Sequence, residues 1–250
     1  MRDVFRSAVA AVTFLTAMPV GRAAALADGE RLRDGTVLFP AVGAAVGAAT
    51  GAIAWAAAFV LPSLPAAVLG VAAGVLLTGA LHLDGLADTA DGVGASLSGA
   101  EPSGAMHDPR LGVFGGVALV LDLVLRISVL GALVVGPRFP LAVIAAGALG
   151  RAASVALLAA TPYVGGVDGT GSWTRGVGLA RCLASAALAA LIGVVAVGAA
   201  FGPMVIAVAA VAGLIRRWSR RHLGGMTGDT LGATAELSET VALVIALSVA

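Results

Sequence analysis

Apolar runs long enough to cross a bilayer recur from one end of this 250-residue chain to the other. A hydrocarbon core of about 30 Å requires roughly 20 mostly apolar residues in helical form. Runs of that kind fall at about 4–20, 37–61, 64–82, 111–136, 139–160, 180–200, 202–215 and 240–250, the first and last being short. Lipid offers the backbone no hydrogen-bond partners, so such a chain must satisfy its amides internally, as helices. The expected fold is therefore all-α: a polytopic integral membrane bundle of about six to eight hydrophobic helices, forming one domain over residues 1–250.

Composition agrees. Hydrophobic residues make up 59% of the chain and charged residues 12%, half the roughly 25% usual in soluble domains. The mean hydropathy is +1.02. The 35 glycines suit close helix contact in lipid, and the row Gly43, Gly47, Gly51 reads as a packing ridge. A net charge of +1 excludes the strongly basic surface of a nucleic-acid-binding protein. Every basic side chain apart from three histidines is Arg. The lone Cys182 lies in an apolar run, so an intrachain disulfide is excluded and a core cysteine is expected.

Arg2, Arg6, the apolar stretch after them and Ala23–Ala27 imitate a secretory signal with its cleavage site. We read the segment instead as a retained membrane-embedded or interfacial helix. The cluster Arg216, Arg217, Arg220 and Arg221 is the strongest orientation signal, and it places the adjoining acidic segment on the cytoplasmic side.

Chemistry concentrates where charge survives in this apolar background. In His82–Gly92, Asp84, Asp88 and Asp91 are spaced i, i+4, i+7 and share one helical face. Like charges stacked so closely repel unless a cation or proton lies between them. Hard oxygen ligands suit Mg²⁺, above all an Mg²⁺ that also holds a phosphate. The plainer alternative is a solvated acidic helix start. Asp108 and Arg110 lie in the Gly-bounded loop from Met106 to Gly115, where an Arg can hold a phosphate bidentately. Here the alternative is an ordinary surface Asp–Arg pair.

A second acidic centre spans Gly224–Glu239, with Asp229, Glu236 and Glu239 leading into the last helix. Simple helix capping is its alternative. Arg151 interrupts an apolar span, where a charge costs at least about 2.5 kcal/mol, which makes it a candidate for an anionic group. Asp122 and Arg126, at i and i+4, read as a mutually neutralising pair. His82 reads as a structural, hydrogen-bonded histidine. With no Walker loop, metalloprotease motif or nucleophile elbow present, Mg²⁺-assisted phosphoryl chemistry without a covalent intermediate fits best.

These residues resemble the cobalamin synthase family, the adenosylcobinamide-GDP ribazoletransferases. The resemblance runs through Phe14-Leu15-Thr16, Pro19-Val20, Phe39-Pro40 with Gly43, and the whole of His82–Gly92. It continues through Met106, Asp108, Arg110, Gly112, Gly115, Gly150-Arg151 and Thr161-Pro162-Tyr163. Thr227-Gly228-Asp229, Leu231-Gly232-Ala233 and Glu236-Leu237 close it. Ala17, His107 and Val164-Gly165-Gly166 stand where the family often has basic residues.

The resemblance implies a multi-pass enzyme of the bacterial inner (cell) membrane whose active site faces the cytoplasm. It would transfer α-ribazole, or its 5′-phosphate, onto adenosylcobinamide-GDP, releasing GMP. The product would be adenosylcobalamin or its 5′-phosphate. In that reading Asp84, Asp88 and Asp91 hold Mg²⁺ on the diphosphate, and Asp108 or Asp91 serves the catalytic step. Arg110 and Arg151 contact phosphate, and Asp229 and Glu236 form a second substrate-binding centre. The partners are the two substrates and the lipid bilayer; a homo-oligomer is left open. The nearest rival is a CDP-alcohol phosphatidyltransferase, whose Asp-Gly-x-x-Ala-Arg motif fails here because Asp88 follows Ala87. A cation-coupled transporter would require paired inverted repeats, which the sequence does not display.

Overall fold

The computed structural model describes residues 2–18, 29–136, 139–165, 172–174 and 176–249. Among them the chain is helical, apart from short turns and one isolated parallel bridge between Tyr163 and Met226. The helices are α1 (Arg2–Leu15), α2 (Gly29–Gly35), α3 (Phe39–Ala57), α4 (Ser63–Thr78), α5 (Leu81–Leu97) and α6 (Pro102–Met106). They continue with α7 (Val113–Leu133), α8 (Phe139–Ala160), α9 (Leu179–Val197), α10 (Phe201–His222) and α11 (Gly228–Ser248). Among the described residues, five stretches are long and apolar enough to cross a membrane, or up to six if the bent pair α4–α5 counts as one span.

Helix α8 is the hub of the bundle and packs against α3, α9, α10 and α11. Lipid supplies little hydrophobic drive between helices, so close backbone approach must hold them together. A Cβ on Gly43 would strike the Gly147 carbonyl, and one on Gly47 the Val143 carbonyl. At Gly51 the nearest atom would be at an ordinary 3.5 Å, so the ridge works at two of its three positions. Around this seam Phe139, Leu130, Met204 and Leu243 are almost fully buried.

Between α4 and α5 the chain bends by 89°. Gly79 (φ 61°) and Ala80 (φ 60°) make the turn in the left-handed region, where a non-glycine residue costs about 1–2 kcal/mol. The turn ends α4 by donating from Gly79 N to Leu76 O and from Ala80 N to Val75 O. It also starts α5 with Asp84 in its first turn. The stretch Leu179–His222, 44 residues long, would run to about 66 Å as one straight helix, twice the hydrocarbon thickness. Gly198 (φ 58°) breaks it, and the Phe201 ring lies over Gly193.

Two sequence expectations change. The last apolar run, expected at 240–250, is the end of a 21-residue helix that begins at Gly228. Its acidic residues lowered the apparent hydropathy, but they lie inside the bundle, opposite arginines. The Arg216–Arg221 cluster is the last part of α10 rather than a loop between spans. Helix α1, expected to be membrane-embedded or interfacial, has only 14 residues, with Val4 and Phe5 exposed and Ala10, Ala11 and Leu15 buried, which fits the interfacial form. Ala23–Ala27, Arg22, Asp28, Asp168 and Arg175 lie outside the described residues.

Candidate active site

The site forms where α5 meets α11. Gly85 lets the two backbones touch: a Cβ there would lie 2.7 Å from the Asp229 carbonyl oxygen and 3.1 Å from Gly232 Cα. The contact brings the Asp84–Asp88 face of α5 beside Asp229, in the first turn of α11. The like charges of Asp229, Asp84 and Asp91 all act on Asp88. Helix α11 starts on a reciprocal cap, with Thr230 N donating to Thr227 Oγ1 and Thr227 N donating to Thr230 Oγ1. The Thr227 hydroxyl also donates to Asp229 Oδ2 at 3.2 Å. Thr227, not an acidic residue, is therefore the cap.

The loop between α5 and α7 closes the site from another direction. Asp84, Asp88, His107, Asp108 and Arg110 line one cavity of about 470 Å³. Neither Asp84 nor Asp88 makes a side-chain hydrogen bond among the described residues. Asp91 is used differently. Its two oxygens accept from Gly112 N and Gly115 N, each at 2.8 Å, and so cap α7 and fix the end of the loop. A carboxylate so engaged positions the loop; its place in the i, i+4, i+7 string does not make it a cavity ligand.

Asp108 and Arg110 form a fork, with Arg110 Nε donating to Oδ1 at 2.9 Å and Nη2 to Oδ2 at 2.7 Å. The guanidinium holds the Asp108 carboxyl at about 2, below the ordinary 3.8. Such a carboxylate is a weak proton acceptor near neutrality, which counts against Asp108 as general base. Arg110 keeps much of its side chain exposed toward the same cavity.

Arg151 and Glu236, expected to contact substrate, belong to a buried ionic cluster, and Arg151 lines a cavity as well. Arg151 pairs with Glu239. Arg126 meets Glu236 at 2.8 Å, Glu239 at 3.4 Å and the Thr240 hydroxyl at 3.0 Å. Asp122 accepts from Thr240 at 2.7 Å and stands 3.9 Å from Arg126, so the expected Asp122–Arg126 pair is the weaker link of a larger network. Asp122, Arg151, Glu236 and Glu239 are each at most 5% exposed, a depth at which an unpaired charge is untenable. The signal was available: two intramembrane arginines need carboxylates, and Glu236 and Glu239 are i, i+3 on one helix.

Beyond Asp84 lies a second cavity, of about 480 Å³, that sequence reasoning did not anticipate. Asp84 lines both cavities, and Asp229 and one face of Arg151 line the second. Among the described residues, no three His, Cys, Asp or Glu side chains close into a group that could hold a metal by themselves.

The sequence pattern of the cobalamin-5-phosphate synthase family matches residues 7–247, nearly the whole chain. The chain belongs to that family. Among curated relatives, the adenosylcobinamide-GDP ribazoletransferase of Stutzerimonas stutzeri (strain A1501) is 41% identical over 241 residues, covering 94% of each chain. The protein of that name from Klebsiella pneumoniae (strain 342) is 37% identical over 98% of this chain and 100% of its own. A third, from Azorhizobium caulinodans, is 41% identical over 74% of this chain and 72% of its own. No solved structure matches. Membership of this family removes the grounds for the phosphatidyltransferase and transporter alternatives.

Proposed function

We propose that this membrane transferase joins α-ribazole, or its 5′-phosphate, to adenosylcobinamide-GDP, releasing GMP and forming adenosylcobalamin or its 5′-phosphate. The observation that carries the reading is that Asp84 lines two cavities of about 470 and 480 Å³, one with Asp88, Asp108 and Arg110 and the other with Asp229. Relatives carrying the ribazoletransferase name over nearly the full length support it.

The reaction forms a bond from a ribose hydroxyl oxygen to the phosphorus that carries cobinamide. The P–O bond to the GMP phosphate breaks, GMP leaves with the bonding electrons, and the hydroxyl proton passes to a carboxylate. Asp84 and Asp88 are the carboxylates that suit Mg²⁺: hard donors, unengaged within the protein and opening on one cavity. Mg²⁺ usually takes one or two protein carboxylates plus substrate phosphates and waters, so two free carboxylates are a better match than a closed cage. When bound there it would neutralise diphosphate charge.

The chain's own groups supply the rest. Arg110 reaches the transferring phosphate from the cavity rim, and Asp91 holds the loop that carries Arg110 by capping α7. Asp229, which accepts from the Thr227 hydroxyl and lines the second cavity, is the carboxylate best placed to accept the ribose proton. Glu236 keeps the bundle in register behind the site, and Arg151 ties that ionic cluster to the wall of the second cavity. The arginines ending α10, read with the positive-inside rule, support an inner-membrane orientation with this face toward the cytoplasm.

Replacing Asp88 with Asn tests the reading. The variant should insert and melt like the parent chain yet release GMP at least about a hundredfold more slowly. Turnover near the parent rate would overturn the assignment of Asp88.

A further inference from the structure

The second cavity has a chemistry of its own. One wall is aromatic: the Phe14 and Phe39 rings stack at 5.9 Å, and Trp173 meets them edge-on at 5.1 Å and 6.1 Å. Asp84 and Asp229 stand elsewhere in the lining. Two ring nitrogens in this lining, Trp173 Nε1 and His82 Nδ1, are buried and have no hydrogen-bond partner among the described residues. Trp173 Nε1 can only donate, whereas His82 Nδ1 donates or accepts according to its tautomer. A buried polar atom without a partner is costly and rare, and a built ligand site is one physical reason to keep it.

Both proposed substrates carry a planar heterocycle, so the lining must choose between them. Guanine presents an amino group, a ring N–H and a carbonyl along one polar edge, and an aromatic wall would strip these of water without replacing it. The base of α-ribazole is a dimethylbenzimidazole, whose benzo ring and methyl groups are apolar. Its one bare ring nitrogen is an acceptor, and an indole N–H is a donor only. Shape and polarity both match the benzimidazole: flat apolar surface on the rings and one acceptor for one orphan donor.

On the ribazole-transfer reading above, we infer that the Phe14–Phe39–Trp173 cavity is the seat of the α-ribazole base, with Trp173 Nε1 donating to its unsubstituted ring nitrogen. The ribose then lies toward Asp84 and Asp229, where its hydroxyl meets the phosphate held in the neighbouring cavity. Trp173 is in this account a specificity-determining residue, and no reacting atom passes through it.

The test uses the full chain in phospholipid vesicles, with KM measured separately for each substrate. Two donors are compared: α-ribazole, and the dimethylindole riboside in which C–H replaces the bare ring nitrogen. The parent chain should show a KM about tenfold higher for the indole analogue, because the Trp173 N–H is then left unpaired. In Trp173→Phe that discrimination should vanish, with the KM for α-ribazole rising to that of the indole analogue and rising more than the KM for adenosylcobinamide-GDP. Phe39→Leu should raise KM for both donors together. Equal KM values for the two donors in the parent chain would overturn the inference even if Trp173→Phe fails to fold. So would a Trp173→Phe effect on adenosylcobinamide-GDP in place of ribazole, which would seat guanine here. Failure of the parent chain to release GMP from the natural pair would instead overturn the transferase reading itself.

Discussion

Substituting Gly85 by Ala should damage catalysis far more than it damages the fold. The added Cβ would sit 2.7 Å from the Asp229 carbonyl oxygen, a backbone atom that cannot rotate away. Restoring an ordinary contact of 3.4 Å requires α5 and α11 to separate locally by about 0.7 Å. Overpacking of this kind costs about 1–3 kcal/mol, while exchanging Gly for Ala inside a helix returns about 1 kcal/mol. The net loss of stability is therefore small, on the order of 0–2 kcal/mol. The displacement, however, falls wholly on the pair of elements that hold Asp84, Asp88 and Asp229. A misplacement approaching 1 Å costs a catalytic arrangement on the order of a hundredfold, so the expected rate loss is about ten- to a hundredfold. Initial rates of GMP release, measured beside thermal unfolding in the same detergent, separate the two effects. Gly104→Ala, where a Cβ would meet nothing within 4 Å, is the matched control. A Gly85→Ala chain working within about twofold of the parent would refute the claim that this contact sets the site geometry.

Other consequences follow from the charged groups. Arg151→Met should strip Glu239 of its nearer partner, leaving it only Arg126 at 3.4 Å, and destabilise the bundle by about 3 kcal/mol, a fall in melting temperature of roughly 6–12 °C. An unchanged melting temperature would show that the ionic cluster is not what holds α8 to α11. At the loop, Asp108 is held at about 2 by Arg110, so it stays ionised on acidification until the pH falls toward that value. Activity lost on acidification above about pH 4 must then come from another group. In Arg110→Ala the Asp108 carboxyl should titrate near the ordinary 3.8, and a midpoint still near 2 by carboxyl NMR would refute the pairing.

The sequence made some of this legible and concealed the rest for identifiable reasons. Hydropathy located the spans of α3, α7 and α8 to within a few residues, because a helix that faces lipid or fills the centre of the bundle is apolar on most sides. It failed for α11, because Glu236 and Glu239 face inward onto Arg126 and Arg151, and a window average cannot see that neutralisation. Helical spacing grouped Asp84, Asp88 and Asp91 correctly on one face. It could not show that Asp91 caps α7, since its partners Gly112 and Gly115 are 21 and 24 residues away. The aromatic wall was out of reach altogether. Phe14, Phe39 and Trp173 come from three distant segments, and only the packing of α1, α3 and the turn at Ser172–Thr174 brings them together.

The most direct measurement is a mass balance on the full chain in phospholipid vesicles with Mg²⁺, adenosylcobinamide-GDP and α-ribazole. The account predicts GMP and a new corrinoid in equal amounts, with neither formed when one substrate is withheld. GMP released without a ribazole-bearing corrinoid would contradict it, as would no turnover by a correctly inserted protein.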